Sequence, residues 1–163
     1  MYSDPNSVKR ISSLGAGPIG GGWTAHFLAR GYDVTAYLHD KSETNSFMSI
    51  LKTAWVSLAE LGLAPSASMD RLRIVTDLEE ALDGADFVQE SGPERIEVKQ
   101  KLYSEMGKIL SPSIIIGSST SGLMMSDIQS DCSTPERTVI GHPFNPPYLC
   151  LLYTSDAADD ALS

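Results

Sequence analysis

Apolar runs and helix-spaced apolar positions alternate from the start of the chain. Residues 8–14 read as a short buried strand that runs into glycines at Gly15, Gly17, Gly20, Gly21 and Gly22. Residues 23–30 place Trp23, Phe27 and Leu28 on one side of a helix, stopped by the C-cap Gly31. Residues 34–38 predict the next strand. Over residues 45–61, Phe47, Ile50, Leu51, Ala54, Trp55, Leu58 and Leu61 recur at steps of three and four, which predicts an amphipathic helix ended by Gly62. Residues 72–75 are strand-like, and 77–82 predict a short helix opened by an acidic cap. Further strands are expected at 87–90, 114–116 and 138–140. A long helix at 93–110 takes Pro93 in its first turn, and 126–130 predict a helical turn. Strands and helices in this rhythm form βαβ units, hence an α/β, doubly wound, mostly parallel sheet with helices on both faces.

Composition narrows the function classes. A chain of 163 residues with 42% hydrophobic and 20% charged positions holds one ordinary globular domain. Its net charge of −9 repels phosphate backbones, so no nucleic-acid partner is expected. No apolar run approaches the roughly 20 residues of a bilayer span, so no membrane partner is expected either. The polar first ten residues lack the core of a secretory signal. Cys132 and Cys150 make no CxxC spacing, which implies neither a disulfide framework nor a metal site. A cytoplasmic setting is the expectation.

Gly15-Ala16-Gly17-Pro18-Ile19-Gly20 fits GxGxxG between a predicted strand and a predicted helix, the context of a Rossmann-type dinucleotide loop. Gly15 permits the tight turn, Gly17 lets backbone approach a pyrophosphate, and Gly20 allows close helix–strand packing. With Pro18 and Ile19, these residues are the candidate dinucleotide-binding turn. An acid about 20 residues further on would bind the adenosine ribose; Asp40 serves if its loop turns back, and is a solvated loop acid if not. Other residues carry plainer readings beside any functional one. His142 among prolines also fits a packed loop residue, and residues 118–121 a hydroxyl-capped turn. His26 and His39 read as surface residues, and Trp23, Trp55, Met124 and Met125 as core. Glu94, Arg95, Glu97 and Lys99 read as a solvated helix face.

Several stretches together resemble one family. They are the loop with Gly22-Trp23, Asp86-Phe87-Val88-Gln89-Glu90-Ser91-Gly92-Pro93-Glu94-Arg95, residues 118–122, Pro135-Glu136-Arg137, and Gly141-His142-Pro143-Phe144-Asn145-Pro146-Pro147-Tyr148-Leu149. The chain resembles the NAD-binding domain of the 3-hydroxyacyl-CoA dehydrogenase family over residues 8–149. Ala54-Trp55 and Glu60-Leu61-Gly62-Leu63-Ala64-Pro65 are most similar to its L-carnitine dehydrogenase branch, with the L-gulonate 3-dehydrogenase (lambda-crystallin) branch near by.

The resemblance implies NAD-dependent oxidation of the 3-hydroxyl of a small 3-hydroxy acid derivative: L-carnitine, with an L-3-hydroxyacyl-CoA the close alternative. It makes His142 the catalytic base, a role that suits an imidazole of ordinary pKa near 6.5. It places Ser121 and Asn145 against the reacting oxygen or the nicotinamide, and Glu94 and Lys99 near the cofactor. The family's ribose-binding acid falls on Leu38, and the glutamate that orients the base falls on Thr154; the chain departs at both. The resemblance further implies a helical C-terminal domain, absent from these residues, that completes the substrate pocket and makes a homodimer. On that reading 1–149 are the cofactor-binding half, with little turnover alone, and 150–163 are a divergent, non-native tail. The departures at Leu38 and Thr154 motivate a second reading, a non-catalytic NAD-binding or crystallin-like structural protein.

Overall fold

In the computed structural model, which describes residues 4–150, β1 (Arg10–Leu14) is the pivot of a six-stranded sheet. It pairs on one side with β2 (Asp33–Tyr37), beyond which lies β3 (Leu72–Val75). On the other side it pairs with β4 (Phe87–Glu90), followed by β5 (Ile115–Ser118) and β6 (Thr138–Ile140). Every pairing is parallel and the order is β3-β2-β1-β4-β5-β6. The chain fills one side of β1 and then crosses to the other. That reversal opens a crevice beyond the carboxyl ends of β1 and β4, where doubly wound sheets bind ligands.

Helices cover both faces because the central strands bury successive side chains on both. Against one face, α1 (Pro18–Ala29) and α2 (Thr44–Leu61) bury Phe27, Leu28, Phe47 and Leu51 on Ile11, Val34 and Ala36. Against the other, α3 (Leu78–Leu82), α4 (Ile96–Ile109) and α5 (Met125–Ile128) bury Leu82, Tyr103, Met106 and Ile128 on Leu14, Val88 and Ile116. Asp77 caps α3, its side chain accepting the Glu80 N–H at 2.9 Å. Polar ties close the far end of the sheet. Asp86 Oδ2 accepts the N–H groups of Lys9 and Arg10, each at 2.9 Å, joining the starts of β4 and β1. The buried Arg137 guanidinium donates to the carbonyls of Ser111, Ile114 and Met106, putting a cation at the C-terminal end of α4 and the turn after it.

The structure moves some expected boundaries. Helix α1 starts at Pro18 rather than residue 23, because its glycines are packing positions. A Cβ on Gly21 would come within 2.6 Å of Ile50 Cγ2, and one on Gly22 within 2.8 Å of Pro147 Cδ in α6 (Pro147–Cys150). Helix α4 starts at Ile96; the residues from Pro93 to Arg95 lie in the turn before it. Met124 is 64% exposed rather than core, whereas His26 is not a surface residue but wedged beside Trp23 and Phe27. Lys99 leaves the expected solvated face and is buried. Among the described residues no helix is long and apolar enough to cross a membrane. Thr154 and residues 151–163 lie outside the described residues.

Candidate functional site

Beyond β1 the glycines divide by what demands them. Gly15 has φ +129°, and a Cβ there would strike the Ser91 carbonyl. At Gly20 a Cβ would strike the Gly15 carbonyl. Both are required by the fold. Gly17 is different: its φ is −75°, open to any residue, and a Cβ there meets nothing within 4 Å. It is also the N-cap of α1 and offers no side-chain cap, so the N–H groups of Gly17, Ile19 and Gly20 open the helix without intrahelical partners, while the Gly21 N–H already donates to the Gly17 carbonyl at 2.8 Å. Pro18, lacking an N–H, loses nothing at this position. Unpaired donors and open space at a helix N-terminus fit a dinucleotide pyrophosphate.

The other wall comes from β4, β5 and α4. Glu90, at the end of β4, is 0% exposed; its Oε1 accepts from Lys99 Nζ and from the Gly92 N–H, each at 2.6 Å, and its Oε2 accepts from Ser118 Oγ at 2.6 Å. Lys99, 1% exposed, is therefore committed to Glu90, with Glu94 Oε2 3.8 Å away. It reaches the crevice only through Glu94. Glu94 Oε1 in turn accepts from Thr120 Oγ1 at 2.6 Å and from the N–H groups of Ser121 and Gly122, both at 3.0 Å. Burial alone would raise the Glu94 carboxyl; the Thr120 hydroxyl, those N–H groups and Lys99 outweigh it and hold it below the usual carboxylate range. Burial and the Glu90 charge keep the Tyr103 phenol protonated.

Glu94 thus fixes the loop that carries Ser121, and that loop meets His142. The Gly141 N–H donates to the Ser118 carbonyl at 2.9 Å, and His142 Nδ1 lies 3.4 Å from the Ser119 carbonyl. The imidazole is exposed. Asn145 lines a cleft of about 410 Å³ between α1 and α2, with Pro18, Ser46, Ser49, Thr53 and Tyr148. Ser121 does not line the cleft that holds Asn145. A larger hollow of about 620 Å³, lined by acids of α3 and by Ile109 and Leu110, shares no residue with this edge of the sheet.

The ribose side is less complete. Leu38 follows β2 and is 0% exposed in the α1–α2 core, so the usual acid position is filled by packing. Asp40 is fully exposed and spent on its own turn: its Oδ1 accepts the Ser42 N–H at 2.8 Å while its N–H donates to Glu43 Oε2 at 3.1 Å. The Ser42 interactions hold its carboxyl below the ordinary value.

Sequence reasoning passed over Glu90, Gln89, Ser91 and Ser119, which link these parts. Ser119 Oγ is met by Trp23 Nε1 at 3.0 Å, Gln89 Nε2 at 2.9 Å and Ser91 Oγ at 2.8 Å. The available signal was Gln89-Glu90 itself, two polar residues ending an otherwise apolar strand.

Comparison with known proteins agrees with this geometry. Residues 10–153 match the family model for the 3-hydroxyacyl-CoA dehydrogenase NAD binding domain. The chain is 47% identical over 147 residues to an L-carnitine dehydrogenase of Streptomyces coelicolor, covering 90% of this chain and 46% of that relative. Among solved structures it is similar to 5-formyl-3-hydroxy-2-methylpyridine 4-carboxylic acid 5-dehydrogenase, an NAD+-dependent dismutase, with a TM-score of 0.79, 32% identity, and coverage of 86% of this chain and 46% of that one. Against 3-hydroxybutyryl-CoA dehydrogenase from Escherichia coli the TM-score is 0.77 and the identity 27%, covering 86% of this chain and 30% of that one. The chain spans less than half the length of these proteins.

Proposed function

The chain belongs to the 3-hydroxyacyl-CoA dehydrogenase family, whose NAD-binding domain it contains, and from that premise we propose that it holds NAD across the β1–β4 crevice for oxidation of a 3-hydroxyl group. The observation that carries the cofactor reading is Gly17. Neither its backbone angle nor any protein neighbour calls for glycine there, so what a side chain would obstruct is a ligand. When bound, NAD supplies the hydride acceptor. The protein's share is to hold the alcohol and remove its proton. With Nδ1–H directed at the Ser119 carbonyl, His142 presents Nε2 with its lone pair outward, and that nitrogen takes the hydroxyl proton. Ser121, on the loop pinned by Glu94, and Asn145, on the cleft wall, orient the reacting oxygen and the nicotinamide. Asp40 reaches the adenosine ribose from beyond Leu38 only by giving up the turn it caps through Ser42, and Lys99 sets Glu94.

The substrate class is a small 3-hydroxy acid derivative, with L-carnitine preferred. The cleft beside Asn145 supports this: its lining has the hydroxyls of Ser46, Ser49 and Thr53 and the ring of Tyr148, which suits a small polar substrate with a quaternary ammonium. The chain alone turns over little, being the cofactor-binding half of a longer dehydrogenase. Titrating the chain with NADH, followed by tryptophan fluorescence, tests the cofactor assignment. Gly17→Val is expected to stay folded, its melting temperature lowered only by the modest cost of valine at an N-cap since its Cβ meets open space, and to weaken NADH at least 100-fold, about 2.7 kcal/mol. Equal affinity in the two proteins overturns the assignment.

A further inference from the structure

Hydrogen-bond stoichiometry around Ser119 fixes a direction that no single contact reveals. A serine hydroxyl has one proton to give and two lone pairs to receive. The Trp23 indole N–H is a donor only, and it points at Ser119 Oγ from 3.0 Å. The Gln89 amide is oriented by a second acceptor, the Glu90 carbonyl 3.5 Å from Nε2, so its NH2 faces Ser119 and donates at 2.9 Å. Both acceptor sites of Ser119 are thereby taken. Its proton has one partner left, Ser91 Oγ at 2.8 Å, so in this pair Ser119 donates and Ser91 accepts.

The consequence falls on Ser91. Its own hydroxyl proton is turned away from Ser119, and Ser91 Oγ makes no other hydrogen bond among the described residues. Its backbone is held firmly. The Ser91 N–H donates to the Leu14 carbonyl at 2.7 Å, and its carbonyl backs onto Gly15. The side chain is half-buried at the carboxyl end of β4, on the rim of the crevice between β1 and β4. It is a fixed, singly committed donor where the sheet order reverses. The Ser119 carbonyl that faces His142 belongs to the same hub, so the free donor stands on the side of the crevice where the base lies.

We propose that Ser91 is a cofactor-contacting residue whose hydroxyl donates a hydrogen bond to an oxygen on the nicotinamide-riboside half of the bound dinucleotide, with Trp23, Gln89 and Ser119 setting its direction. This rests on the dinucleotide reading above and adds to it a contact that neither the glycine loop nor the His142 segment supplies.

The test compares the wild-type chain with Ser91→Ala in titrations with NADH, ADP-ribose and ADP, and adds thermal melts. The wild type is expected to bind all three. Ser91→Ala is expected to weaken NADH about 3- to 10-fold and leave ADP unchanged. An accompanying loss for ADP-ribose places the acceptor on the ribose, and a loss for NADH alone places it on the carboxamide; both support the proposal. Equal NADH affinity overturns it, as does an equal loss for ADP, which would mark a general disturbance at Gly15. A wild type that binds no NADH overturns the dinucleotide reading and this proposal together, so the two failures are distinct. If Ser91→Ala does not fold, Ser91→Cys, a close match in size with a weaker donor, is expected to show a smaller loss in the same ligand order; equal affinity there also overturns the proposal.

Discussion

His26 shows how one side chain sets a response to pH. It sits in α1 with the rings of Trp23 and Phe27 at centroid distances of 6.4 and 6.2 Å, and its Nδ1 is buried without a hydrogen-bond partner. Burial, and then the nearby Arg30 charge, lower its pKa from 6.5 to about 4. The folded chain therefore keeps the ring neutral where the unfolded chain would protonate it. Stability from this residue is complete above pH 6.5 and is lost as pH falls towards 4. Urea unfolding from pH 7 down to 4.5 is expected to show a decline steeper in wild type than in His26→Gln, the gap growing by on the order of 2 kcal/mol. Parallel curves would remove His26 as the cause. None of this was visible in the sequence, where a histidine at that position looks like surface. What hides it is Trp23, which turns towards Ser119 and leaves an aromatic bay beside α1.

At the level of elements, α4 is fastened to β4 by charge as well as by apolar packing. Lys99 lies one turn before Tyr103 and two before Met106, so it falls on the helix's buried stripe and must meet Glu90 inside. Removing one member leaves the other charged and buried, which costs about 3–5 kcal/mol, whereas removing both does not. Lys99→Met is expected to lower urea stability by that amount, and Lys99→Met with Glu90→Gln to recover more than half of it. Additive losses would show that the two side chains do not depend on each other. The elements themselves were legible: β3, β4 and β6 fall on their expected residues, and Asp77 caps α3 as its position before Leu78 implies. The stripe on α4 was not, because Glu94, Arg95, Glu97 and Lys99 alternate in sign, as solvated helices do. Only the docking of α4 decides which of them faces the sheet.

For the whole molecule, alternating strands and helices were enough to specify a doubly wound sheet, and the glycine spacing marked its ligand edge. The substrate was not legible, since neither the glycine spacing nor the His142 segment specifies the groups that would recognise it. In a full-length dehydrogenase carrying this domain, NADH formation is expected with L-carnitine and not with 3-hydroxybutyryl-CoA; the reverse preference would overturn the substrate assignment. The crossing of the chain from β3 to β4 also orders events in time. Strand β1 and its glycine turn leave the ribosome early, yet Lys9 and Arg10 await Asp86, up to 77 residues later, and Gly15 awaits the carbonyl of Ser91. At ordinary rates of synthesis that is a delay on the order of ten seconds, during which the central strand has only one neighbour. The first part of the binding edge to be made is therefore not finished until β4 arrives, and a nascent chain halted before Ser91 would hold its glycine turn without the backing that shapes it.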